Sequence, residues 1–215
     1  MKSRKTLYCT LDTETLGGAS QPEGIYNLSG LIHDRLGNIH AVFNLIIAEH
    51  FNSILEKAHY GKATFYRYAE MIERGEVTLV PTEAEALALV NSLLNFYDVQ
   101  YVMAYNTSFD LCKTACKILI ENRDFIDIYQ MAWEIYHHRP SYKKYCVENG
   151  FVTKRGNPRQ SVETTYGFLT KNPLFQEEHT AFSDASQEME IFISCLRQHK
   201  KFTKNKHHGQ YFARA

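Results

Sequence analysis

Three short patterns in this chain carry side chains able to hold a cation or move a proton. Asp12 and Glu14 stand two apart in the run LYCTLDTET, so in an extended strand both carboxylates project from one face. Asp110 closes the run NTSFD from Asn106, and Asp184 closes HTAFSD from His179. Each has a bland reading by itself. Two acids at a strand end are ordinary surface residues, and an Asp in a first helical turn simply suits the helix dipole.

Together they read differently. Asp12 and Glu14 end a predicted strand, while Asp110 and Asp184 begin predicted helices, and a mixed sheet can gather such positions at one edge. Four converging carboxylates repel one another unless cations sit among them, and hard oxygen donors without a nearby cysteine select Mg²⁺ or Mn²⁺ over Zn²⁺. Two such ions about 4 Å apart can activate a water and stabilise the leaving oxygen of a phosphodiester. His179 lies on the approach to the last helix. Its imidazole, with an ordinary pKa of about 6.5, suits it to take a proton from the attacking water.

The elements that must position these residues are visible as patterning. Residues 7–12 read as a buried strand, and 25–33 and 39–47 as two more, separated by Asp34, Gly37 and Asn38, a turn signature. Residues 49–80 interrupt the pattern with helix-like stretches over 52–60 and 65–74, and are read as a helical insertion. Thr82 ahead of Glu83 and Glu85 marks a helix start, followed by Ala86, Leu87, Leu89, Val90, Leu93 and Leu94 as an apolar stripe at helical spacing. Strand-like 99–104, helix-like 109–120 and strand-like 125–128 then alternate, which implies parallel strands. Residues 162–170 read as a helix, and a last amphipathic helix runs from Ser183 or Asp184 to about Gln198, with Ser183 as its cap. The expected architecture is α/β: a mixed five-stranded sheet flanked by helices.

Composition bounds the rest. The chain has 215 residues, enough for one well-packed domain, placed at 1–200, with a poorly ordered basic tail over 201–215. Twenty-four Lys and Arg balance 24 Asp and Glu, so no broad basic surface is available to grip long duplexes, and a small site for a strand end is favoured. Five cysteines without a CxxC pair suggest neither a disulfide framework nor a zinc module. Cys112 and Cys116 are read as small core residues. With no apolar run of about 18 residues and no export signal, a cytoplasmic location and no membrane partner are expected. His137-His138 and His207-His208 are read as solvated. The basic stretch 139–159, interleaved with Tyr142, Tyr145 and Phe151, either guides a single strand by charge and stacking or is a solvated loop.

DTET at 12–15, NTSFD at 106–110 and HTAFSD at 179–184, in that order, resemble the three motifs of the DEDDh exonucleases, the DnaQ-like superfamily that includes the proofreading subunit of bacterial DNA polymerase III, RNase T and oligoribonuclease. The resemblance covers most of 8–196, weakly outside the motifs. It implies an RNase H-like fold, Asp12, Glu14, Asp110 and Asp184 as ligands of two Mg²⁺ or Mn²⁺, and His179 as general base. The implied reaction is 3′-to-5′ hydrolysis of single-stranded DNA or RNA, DNA favoured, releasing nucleoside 5′-monophosphates. By the same resemblance Thr13, Thr15, Leu16, Asn106 and Phe109 would hold the terminal nucleotide. Two departures stand out: Tyr105 occupies a place where many relatives have histidine, and 49–80 is longer than the usual connection. The insertion and the basic stretch are similar to stand-alone exonucleases of bacteriophages. A homodimer or a polymerase association is compatible with such a chain. So is a different class of function, a non-catalytic nucleic-acid-binding module that keeps the fold.

Overall fold

The computed structural model describes residues 6–18, 21–58, 61–198 and 212–214. Three long antiparallel strands come first: β1 (Leu7–Gly18), β2 (Gln21–Asp34) and β3 (Ile39–Ile47). The turn between β2 and β3 closes because Asp34 Oδ1 accepts from the backbone N–H groups of Leu36 and Asn38 at 2.8 and 3.1 Å, while Gly37 takes φ +91°, a value that favours glycine.

Short helices α1 (Ala48–Phe51) and α2 (Ile54–Lys57) and the longer α3 (Gly61–Glu73) follow, then strand β4 (Thr78–Val80), which pairs in parallel with β3. Helix α4 (Glu83–Phe96) starts where Thr82 accepts the Glu85 N–H at 3.2 Å, and its buried stripe of Ala86, Leu87, Val90 and Leu94 covers one face of the sheet.

Strands β5 (Tyr101–Ala104) and β6 (Asp124–Asp127) are parallel to β1 and to each other, and β7 (Phe212–Arg214) pairs antiparallel with β6. The sheet order is β4-β3-β2-β1-β5-β6-β7. The expected five strands form its centre, and it has seven because a three-residue strand is added at each edge. Such short edges carry too little patterning to stand out in a sequence. Of the tail, only Phe212–Arg214 is described, and the rest of 201–215, with His207-His208, lies outside the described residues.

Helix α5 (Thr107–Asp110) is one turn, and the expected continuous helix over 109–120 is broken. Thr114 breaks it: its hydroxyl bonds the Asp110 carbonyl and accepts the Cys116 N–H, capping a separate 3₁₀ segment Ala115–Ile120. Cys116 is buried as expected, but Cys112 is exposed. Helix α6 (Ile128–Ala132) continues as a π-helical turn, Trp133–His137. There His137 is buried rather than solvated, its Nε2 3.0 Å from Thr165 Oγ1.

The basic stretch is a helix, α7 (Pro140–Glu148), and a hairpin-like turn bridged at Val152 and Pro158. Its aromatics face inward: Tyr142 is fully buried, and Tyr145 and Phe151 pack on the same core. They are therefore not an exposed stacking platform. Helix α8 (Val162–Thr170) spans the residues its patterning indicates, capped by Ser161. Helix α9 (Ala181–Gln198) begins two to three residues earlier than expected, because Thr180, not Ser183, accepts the first free N–H, from Ser183 at 3.3 Å.

Alternation along β1 divides the core. Cys9 and Leu11 face α4, while Tyr8 packs toward α9, its ring tilted against Phe192. Asp12 shares the parity of Tyr8 and Thr10, so its side chain faces α9. A third cluster, Leu16, Tyr26, Ile46, Ile54 and Tyr68, seals α2 and α3 against the far end of the sheet. Among the described residues no helix is long and apolar enough to cross a membrane.

Candidate metal centre and active site

The parity of β1 and the start of α9 bring three of the sequence-selected acids together. One carboxylate oxygen each from Asp12, Glu14 and Asp184 lies within 4.8 Å of the others. Asp110 stands just outside that triad. Its Oδ1 accepts from both the backbone N–H and the hydroxyl of Thr13, at 3.2 and 2.7 Å, which ties α5 to β1.

Asp12, Asp110 and Asp184 line one cavity of about 420 Å³, together with Thr13, Asn106, Phe109 and Tyr105. Thr15 and Leu16 are not among its described lining residues, and Leu16 is 3% exposed within the third core cluster. Tyr105 is held by its hydroxyl, which donates to the Gln160 carbonyl at 2.7 Å.

Two further acids belong to the cavity and were not singled out by sequence. Glu188 is buried one helical turn after Asp184, and its Oε2 accepts the Tyr105 N–H at 3.0 Å. The i, i+4 spacing from Asp184 was the available signal. Glu177 lines the cavity from the segment before α9.

Burial and mutual repulsion make ionisation of this cluster costly. Burial pushes Asp110 up to about 7 and Asp184 up to about 8, with the Glu177 charge adding to the latter. Glu14 rises to about 7, mainly through burial, although Tyr26 donates its hydroxyl to Glu14 Oε2 at 3.2 Å and the Arg67 charge also favours the anion. Asp12 is raised by burial first, then by Asp110, Glu188, Asp184 and Glu14.

Asp184 Oδ1 is buried and has no hydrogen-bond partner among the described residues. An anionic oxygen is costly to leave so unless a cation serves it. The donors are all carboxylate oxygens, so the set fits a hard divalent cation such as Mg²⁺ or Mn²⁺ and offers nothing to favour a thiophilic one.

His179 sits at φ +53°, immediately before the Thr180 cap. Its side chain is 54% exposed, with Nδ1 3.9 Å from Glu177 Oε2. It is not among the described lining residues of the cavity, so it stands beside the acidic cluster rather than in it.

No family model matches this sequence, and no curated protein does either. Solved structures do match. E. coli exonuclease I in complex with a dA16 oligonucleotide aligns over 92% of this chain with a TM-score of 0.56 at 15% identity. An ExoI/SSB-Ct complex gives 0.54 at the same identity and coverage. Exonuclease X in complex with 5′ overhanging duplex DNA aligns over 91% of this chain and 94% of its own, at 12% identity and a TM-score of 0.45. The chain has the RNase H-like fold of exonuclease I. It covers 42% of the length of that protein, so exonuclease I carries a larger body of chain beyond the shared α/β unit.

Proposed function

We propose that this chain is a divalent-metal-dependent 3′-to-5′ exonuclease, hydrolysing phosphodiester bonds from the 3′ end of single-stranded nucleic acid, DNA by preference, and releasing nucleoside 5′-monophosphates. The observation that carries the reading is the convergence of Asp12, Glu14 and Asp184 within 4.8 Å, with one buried Asp184 oxygen left unserved. A module that only binds nucleic acid gains nothing from a self-repelling acidic cluster. The shared fold with an exonuclease crystallised in complex with a dA16 oligonucleotide supports the same reading.

Asp12, Glu14 and Asp184 would hold two Mg²⁺ or Mn²⁺, with Asp110 completing the set from the Thr13 side. When bound, such a pair makes an attacking water more acidic and neutralises charge that builds on the phosphate and the leaving oxygen. The chain's own residues do the rest. His179 takes the proton as the water oxygen bonds to phosphorus, and the bond to the 3′ oxygen of the shortened strand breaks. The imidazole, 54% exposed beside Glu177, would turn toward the carboxylates to take that proton. Asn106, Phe109 and Thr13 line the cavity where the terminal nucleotide would sit. Thr15 and Leu16, outside the described lining, would back that end of the site from β1 rather than touch the nucleotide.

The test is release of label from a 3′-labelled single strand by concentrated protein with Mg²⁺ or Mn²⁺, alongside a circular single strand. Labelled mononucleotide from the linear strand and an intact circle support the proposal. Cutting of the circle would indicate an endonuclease. Metal-independent binding without product would point to a non-catalytic module.

A further inference from the structure

The chain on either side of His179 is tied to one helix, α3, of the 49–80 segment, directly before the histidine and through Asn27 of β2 after it. Arg67 donates from Nη1 to the carbonyl oxygen of Glu178, the residue just before His179. Tyr68, the next residue along α3 and fully buried, donates its hydroxyl to Asn27 Oδ1 at 2.8 Å. The same Asn27 oxygen accepts the Ala181 N–H at 3.1 Å, two residues after His179. Asn27 is fixed in turn, because its Nδ2 donates to the Leu45 carbonyl at 2.9 Å and to Asn44 Oδ1 at 3.1 Å. Between the two anchors His179 takes φ +53°, a backbone state that a residue with a β-carbon keeps only when its surroundings enforce it.

We propose that Arg67 and Tyr68 are positioning residues for His179: α3 clamps the chain on both sides of the histidine and so fixes where its imidazole can reach relative to the carboxylates. The inference rests on His179 being the base. It gives the 49–80 segment a role in the reaction, although Arg67 and Tyr68 need touch neither cation nor substrate. Small errors in placing a reacting group are expensive in rate, on the order of 100-fold for about 1 Å.

The experiment measures kcat and KM on a single-stranded oligonucleotide for the parent, Arg67→Ala, Arg67→Lys and Tyr68→Phe, each also in a His179→Ala background. Arg67→Ala and Tyr68→Phe are expected to lower kcat roughly tenfold with little change in KM, and Arg67→Lys, which keeps a donor, to recover most of the rate. With Mg²⁺ saturating, so that the Arg67 charge beside Glu14 does not limit cation binding, the same substitutions should cost nothing further in the His179→Ala background, because residues acting through one group are not additive. Equal losses with and without His179 would overturn the proposal.

If the parent is inactive, or indifferent to His179→Ala, the base assignment fails, and α3 is judged by the histidine itself. The imidazole resonance of His179 in ¹³C-histidine-labelled protein, assigned with His179→Gln, should shift or broaden in Arg67→Ala and Tyr68→Phe. An unchanged resonance in both variants would overturn the clamp.

Discussion

Thr13 gives both its main-chain N–H and its hydroxyl to one oxygen of Asp110, 97 residues away, at 3.2 and 2.7 Å. This pair of hydrogen bonds to a single acceptor oxygen places the Asp110 carboxylate against β1 although α5 is only one turn long. Thr13→Val keeps the shape and removes the hydroxyl. Groups that orient a metal ligand are commonly worth 10- to 100-fold in affinity, so Mg²⁺ or Mn²⁺ affinity by calorimetry is expected to fall by about tenfold. The loss of folding stability should be about 1 kcal/mol. An unchanged affinity would mean that Asp110 is not a ligand.

The raised carboxyls make a prediction about pH. An acid whose folded pKa exceeds its unfolded value favours the unfolded state as it ionises, so the cost sets in above about 4. It is complete only above the folded values of about 7 for Glu14 and Asp110 and about 8 for Asp184. Metal-free protein in chelator should therefore lose stability between pH 6.5 and 8.5, and Mg²⁺ should raise Tm more at pH 8.5 than at pH 6.5.

Between pH 4 and 6.5 one group works against the carboxyls: burial pulls His137 down to about 4, so the unfolded chain takes up its proton first and part of the stability gained by the protonated acids is given back as pH drops. Thermal melts across pH 5 to 8.5, with and without Mg²⁺, check the trend. A metal-free Tm that is flat between 6.5 and 8.5 would contradict the electrostatic picture of the cluster.

Asp184→Asn separates stability from function. Removing one charge from the cluster should stabilise the metal-free protein at pH 8, by about 1 to 3 kcal/mol, while abolishing the stabilisation that Mg²⁺ confers and the nuclease activity proposed for the parent. Chemical denaturation with and without Mg²⁺ reads the first two effects. A variant less stable than the parent without metal would show that Asp184 serves the fold rather than a cation.

Much of the frame was legible because local chemistry and tertiary structure agree there. Thr82 does cap α4, the Asp34–Asn38 turn does close β2 onto β3, and α8 spans the residues its patterning suggests. What sequence missed was decided by long-range burial or by a competing side chain. Nothing local shows that His137 and Tyr142 turn inward to meet Thr165, at 3.0 and 3.4 Å, since the charges around them suit a solvated loop equally well. Thr114 breaks a helix whose apolar spacing looks continuous.

At the site, the acids of the three motifs were visible as types and spacing, but their arrangement was not. Asp110 stands outside the triad with one oxygen held by Thr13, and Glu188 enters because α9 packs on β1 and β2 and carries its carboxylate to the Tyr105 N–H just past β5. An acid on a helix is ordinarily assigned to solvent, and only the Tyr105 N–H across the sheet shows otherwise.

The most direct measurement is digestion of 5′-labelled single-stranded DNA and RNA oligonucleotides with Mg²⁺ or Mn²⁺ by the parent and by Asp12→Ala. A metal-dependent ladder that shortens from the 3′ end, stronger on DNA and absent in the variant, is the predicted result. No ladder from folded, metal-saturated parent protein, or an equal ladder from Asp12→Ala, would contradict the assignment of this carboxylate cluster to phosphodiester hydrolysis.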